Sequence, residues 1–216
     1  MAQTRKFVSL SALAVLVCAP LLVGAAVDPS SAAPNGDEAA VAESVRVIDR
    51  SDQTLYTEET RGLPAEEAMR ESAGSAAKML AVDEAPAVGE TVKIVYSDVV
   101  VVNQRLAAGC SVSADAAVPY RVGMTVYSYS HYKQTGCSGI QSTSGTLQKY
   151  EPWFSWNTKG EDKKNSPASG TQYSFVTTFT CSNSNNTLYR TTQFHMKGGI
   201  DYDVAMSNEI TLACGN

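Results

Sequence analysis

The chain predicts an all-β fold, an antiparallel β-sandwich or small barrel, and three observations carry that prediction. From Thr91 onward, short stretches alternate apolar and polar residues with a period of two, the period of a half-buried strand. Clusters of Gly, Asn and Ser separate those stretches roughly every dozen residues, as they do where short strands are joined by tight turns. Four cysteines, Cys110, Cys137, Cys181 and Cys214, fall within the same region and suit a cross-linked domain.

The elements follow in order. Met1 to Lys6 carries two bases and no acid, and Phe7 to Val23 is uncharged. Gly24-Ala25-Ala26 then supplies small residues for a signal peptidase, so residues 1–26 are expected to be a secretion signal cleaved near Ala26. Cys18 leaves with that signal. No later run is apolar enough to span a bilayer, so no membrane span is expected after cleavage.

Residues 27–90 form an acidic lead-in with 14 acids against five bases, a net of −9, while residues 91–216 carry eight against ten, a net of +2. Asp28 to Glu43, rich in Ala, Ser, Pro and acid, is expected to be partly disordered. Val45 to Ile48 alternates as a short strand. Residues 64–81 predict one short helix: Pro64 suits its first turn, and Glu66 and Glu67 suit the positive end of its dipole. Its apolar face, drawn from Leu63, Met69, Ala73, Ala76, Ala77 and Leu80, is thin.

The β domain is expected over residues 91–216. Val92 to Tyr96 is one strand, and the run Val99-Val-Val-Val102 predicts another that is buried on both faces. Tyr120 to Tyr132 alternates, with Val122, Met124 and Val126 on one side. Thr146 to Trp156 is a strand interrupted by Pro152, and Lys159 to Lys164 reads as a solvated loop. Thr171 to Cys181 places Tyr173, Phe175, Thr177 and Phe179 on one face; Leu188 to Met196 aligns Leu188, Arg190, Thr192, Phe194 and Met196. Tyr202 to Met206 and Glu209 to Cys214 complete the set.

An even number of cysteines in an exported chain reads as disulfides. Of the three connectivities, Cys110–Cys137 and Cys181–Cys214 are preferred, because each joins neighbouring stretches of the sheet. No Cys-x-x-Cys knuckle and no histidine at zinc spacing is present, so neither a metal site nor a cofactor is expected. The near-neutral β domain lacks the basic stripe of a nucleic-acid binder. The order Cys137, Trp153, Cys181 is similar to that of immunoglobulin domains, but Phe179 stands where that family has a tyrosine. An immunoglobulin-like or Greek-key sandwich is expected, without membership of that family.

Phosphate-loop, nucleophile-elbow, zinc-peptidase and Rossmann patterns are absent from the sequence. Thr177-Thr-Phe-Thr-Cys181 resembles the Thr-Leu-x-Thr-Cys strand of sortases, which are exported β-barrel transpeptidases, with Thr178 in place of the leucine. That resemblance implies Cys181 as nucleophile, His131 as acid/base partner and Arg190 as oxyanion stabiliser. Taken alone, His131 and His195 read as structural strand residues. The aromatics offer a different site: Tyr127 and Tyr129 on one strand, and Trp153 and Trp156 in a Pro-containing segment, suit stacking against sugars or partner side chains. The expectation is therefore a secreted, noncatalytic binding protein whose partner is an extracellular protein or carbohydrate. A sortase-like thiol transpeptidase and a small secreted inhibitor are the alternatives.

Overall fold

The computed structural model describes residues 44–55, 85–153 and 155–215. The expected signal, the helix near 64–81 and most of the acidic lead-in lie outside these residues. Twelve strands are described: β1 (Ser44–Arg50), β2 (Glu90–Tyr96), β3 (Val99–Ala107), β4 (Cys110–Ala117), β5 (Tyr120–Val122), β6 (Thr125–Thr135), β7 (Ile140–Glu151), β8 (Ser155–Asn165), β9 (Gln172–Thr180), β10 (Asn183–Lys197), β11 (Ile200–Met206) and β12 (Ile210–Gly215). They form two packed sheets, a β-sandwich rather than a closed barrel.

The seven-stranded sheet runs β1-β2-β3-β4-β6. β5 pairs with the start of β6, and β9 pairs along Thr125–Lys133 of β6. β1 lies parallel to β2, the one parallel pairing among the described strands. The sheet thus reaches back to Ser44, well before the boundary expected at Thr91. In the five-stranded sheet, β10 is the hub: it pairs with β7, with β11 along Thr192–Lys197, and with β12 along its N-terminal half, while β8 flanks β7.

The expected Tyr120–Tyr132 strand is broken into β5 and β6. Gly123 adopts a left-handed φ of 59°, which turns the chain and leaves Met124 exposed rather than aligned with Val126. The charged Lys159–Lys164 segment is strand, not loop. Glu161 and Lys163 alternate outward on β8, whose other neighbour in the sheet is absent among the described strands, so their charges stay in water.

Three apolar clusters form the core. Between the sheets, Val100, Val102, Val112, Ala114, Ala116, Tyr132 and Phe175 pack against Val204 and Ala205. At one end of the sandwich Val126, Leu147 and Tyr189 surround Cys181 and Cys214. On the opposite face of the seven-stranded sheet, Val92, Ile94, Val99, Val101 and Tyr129 cluster with Ile48 and Leu55. Val99 to Val102 are thus at most 4% exposed, with alternate residues in clusters on opposite faces, as their unbroken run predicts.

The middle of the interior is polar and hydrogen-bonded. Ser128 and Thr191 hydroxyls meet at 2.8 Å; Ser130 donates to Gln193 Oε1 at 2.6 Å, and Gln193 Nε2 donates to Thr143 Oγ1 at 2.7 Å. These bonds join β6 to β10 and β10 to β7 with their polar atoms paired, so burial carries no desolvation loss of an orphaned group. Gly145 lets the sheets approach, since a methyl there would lie 2.2 Å from Ser130 Oγ and 2.7 Å from Phe175 Cβ.

Disulfides join Cys110 to Cys137 and Cys181 to Cys214, across sequence separations of 27 and 33 residues. Each closes a loop of a size that lowers the entropy of the unfolded chain by roughly 3–4 kcal/mol. Beside the second, Tyr189 Oη donates to the Cys214 carbonyl at 2.7 Å, and burial pushes its pKa up to about 12.

Candidate aromatic binding site

The β7–β8 hairpin assembles the candidate site. Its tip carries Pro152 and Trp153, and Ser155 takes a left-handed φ of 62° to re-enter the sheet. Trp153 is 91% exposed. Below the tip, Tyr150 and Trp156 are cross-strand partners whose rings meet edge to face at 5.5 Å. On the neighbouring β10, Arg190 lays its guanidinium 4.1 Å from the Trp156 ring centroid.

Alternation along the strands explains this grouping. Arg190 is paired with Gln148, and its Nε donates to Gln148 Oε1 at 2.8 Å. Tyr150, Gln148, Arg190 and Trp156 therefore share the outer face of the five-stranded sheet, as period two and the register require. Trp156, half-buried, has one ring face under a cation and an edge contact from Tyr150. It supports the hairpin; Trp153 is the ring presented to solvent.

The other face of the hairpin is braced by charge. Glu151 accepts from Lys159 Nζ and from Asn157 Nδ2, both at 2.6 Å, and the Lys159 bond is the main reason its pKa is lowered. Lys149, buried over the Phe179 ring, has its pKa lowered by desolvation and then by Lys159. Together these contacts brace the two strands of the hairpin.

The structure separates the four aromatic candidates. Trp153 and Trp156 share the hairpin, but Tyr127 and Tyr129 belong to the seven-stranded sheet, where both stack on Tyr120. Tyr129 is only 6% exposed and bonds to the Tyr120 hydroxyl at 3.0 Å, so it is a core residue rather than part of a binding surface. Burial, then that bond, raises its pKa.

The trio suggested by the sortase resemblance is likewise dispersed. Cys181 is disulfide-bonded to Cys214, which leaves no thiolate to act as nucleophile. His131, fully buried, faces Asp115, with Nδ1 2.9 Å from both carboxylate oxygens. Arg190 stands on the outer face of the other sheet, stacked on Trp156. His131 shares a face of β6 with Tyr127 and Tyr129, and His131 and Tyr129 are both buried there. Asp115 went unnoticed in the sequence because its strand, β4, is built largely of Ala and Ser and lacks a strong alternating signal.

Sequence reasoning also left Gln148 unremarked, although it fixes the Arg190 side chain; only the register brings the two together. Among the described residues there is no group of three His, Cys, Asp or Glu side chains placed to hold a metal, and no helix long and apolar enough to cross a membrane. No protein-family pattern matches the chain, and no curated protein matches it.

Proposed function

We propose that the protein is an exported, noncatalytic binding protein whose partner docks on the outer face of the five-stranded sheet, starting from the Trp153 hairpin. The observation that carries the reading is the 91% exposure of Trp153 on a braced two-stranded support. An indole held in water has no folding role to explain it, and a pre-ordered aromatic ring is the kind of anchor that dominates binding energy at low entropic cost. Two disulfides suit the oxidising conditions outside the cell.

The partner is a carbohydrate or a protein, and one experiment addresses both the function and the class. Wild-type and Trp153→Ala proteins are screened against a glycan array and against immobilised extracellular proteins. Because Trp153 buries so little, the variant is expected to keep its melting temperature and lose about tenfold or more in affinity. Equal binding by the two proteins would remove the hairpin from the function.

A further inference from the structure

We propose that a groove farther along this same outer face is a subsite for a neutral saccharide chain. The inference rests on the reading of the outer face as the binding face and names its ligand class. The groove has a volume of about 260 Å³, bounded by β8, β7, β10 and β11. Its size is below the ~300–1,000 Å³ of sites for drug-sized ligands and suits one sugar ring at a time.

Its floor is made by Ser144 and Thr146 of β7, 8% and 4% exposed. One wall carries Thr158, Glu161 and Lys163 of β8; Phe194 of β10 and Asp201 of β11 complete the lining, which is mostly polar. The register explains the convergence, since Ser144 lies between Phe194 and Lys163, and Thr146 between Thr192 and Glu161. All project to the outer face.

The charged groups here remain unpaired. Glu161, Lys163 and Asp201 line one groove with opposite signs, yet among the described residues none makes an ion pair or a side-chain hydrogen bond. The Ser144 and Thr158 hydroxyls are also without side-chain hydrogen bonds there. Two carboxylates accept, one ammonium donates, and the hydroxyls do both. A polyol matches that mixture, because each of its hydroxyls can donate to a carboxylate and accept from a lysine. A polyanion would meet two carboxylates, and a purely apolar ligand would leave these groups unmet.

Six residues of strand separate Ser144 from Tyr150, a distance of about 20 Å. The aromatic hairpin and the groove are therefore two ends of one track, longer than a single sugar. Arg190, Gln148 and Thr158 lie between them and continue its polar character.

The test uses hexasaccharides of cellulose, chitin, xylan, mannan and β-1,3-glucan as probes, measured by calorimetry on the full exported protein. At least one series is expected to bind, with Glu161→Gln and Asp201→Asn each weakening it about tenfold while the melting temperature holds. Both substitutions fall at exposed positions, so neither is expected to unfold the protein. Binding of no hexasaccharide overturns the inference, as does binding that Glu161→Gln and Asp201→Asn leave unchanged. A protein ligand lost on Trp153→Ala, with no hexasaccharide bound, would retain the binding function and discard the saccharide. Loss of hexasaccharide binding in the groove variants but not in Trp153→Ala would place the site here and remove the hairpin.

Discussion

Single residues set the tolerance of the interior. Gly145 sits where β7 meets β6 and β9, with room for a hydrogen and no more. Gly145→Ala forces Ser130 or Phe175 to move and threatens the Ser130–Gln193 bond, so a loss of about 1–3 kcal/mol is expected in chemical denaturation. His195 makes a pH-dependent contribution. Buried beside Tyr132 and near Lys197, it has its pKa lowered from 6.5 to about 4, by desolvation first and Lys197 second. Below pH 6.5 the unfolded chain takes up a proton that the folded chain refuses. The protein is therefore expected to lose up to about 3 kcal/mol as pH falls from about 6.5 to 4, with no change from this residue above that window. His195→Phe should flatten the dependence in urea melts at a series of pH values; an unchanged slope would assign it to other groups.

At the level of elements, turns and cross-links hold the strands in register. Gly136 has a left-handed φ of 67°, and a methyl there would collide with the Gly109 carbonyl beside the Cys110–Cys137 bridge. Gly136→Ala is expected to destabilise the protein by more than the ~1 kcal/mol typical of a Gly-to-Ala change at a strained turn, read as a lower melting temperature. The Cys181–Cys214 bridge ties the β9–β10 turn to the last strand, within a cluster containing Tyr189 and Leu147. Replacing both cysteines by alanine is expected to cost roughly 3–4 kcal/mol in stability, with the sheet order kept. The hairpin β7–β8 is the exception in this scheme, because its tip contributes little to the core. Trp153 there is 91% exposed and lies outside all three apolar clusters.

For the whole molecule, the two sheets divide the roles. The seven-stranded sheet carries apolar clusters on both faces, while the five-stranded sheet has its apolar residues on the inner face and aromatics, hydroxyls and charges on the other. Titration of the denatured protein should find no free thiol among Cys110, Cys137, Cys181 and Cys214, since all four are bonded. A reactive thiol mapping to Cys181 would reopen the transpeptidase reading.

Much of this was legible along the chain. Alternation marked most strands, the Val99–Val102 run announced a strand buried on both sides, and the parity of the cysteines together with strand adjacency led to both disulfides. The face shared by Arg190, Thr192 and Phe194 followed from period two alone. β4 and β8 were hidden because small residues and alternating charges give a weak hydrophobic signal even in a strand. Partnership across the sheet was a different matter. That Tyr129 is core while Trp153 is free, that Arg190 stacks on Trp156, and that His131 meets Asp115 depend on which strands lie side by side and which sheet covers which face. Local sequence determines the period of a strand, because backbone geometry is local. Burial and cross-strand contact are decided only when distant strands pair, and so the candidate site belongs to the tertiary structure.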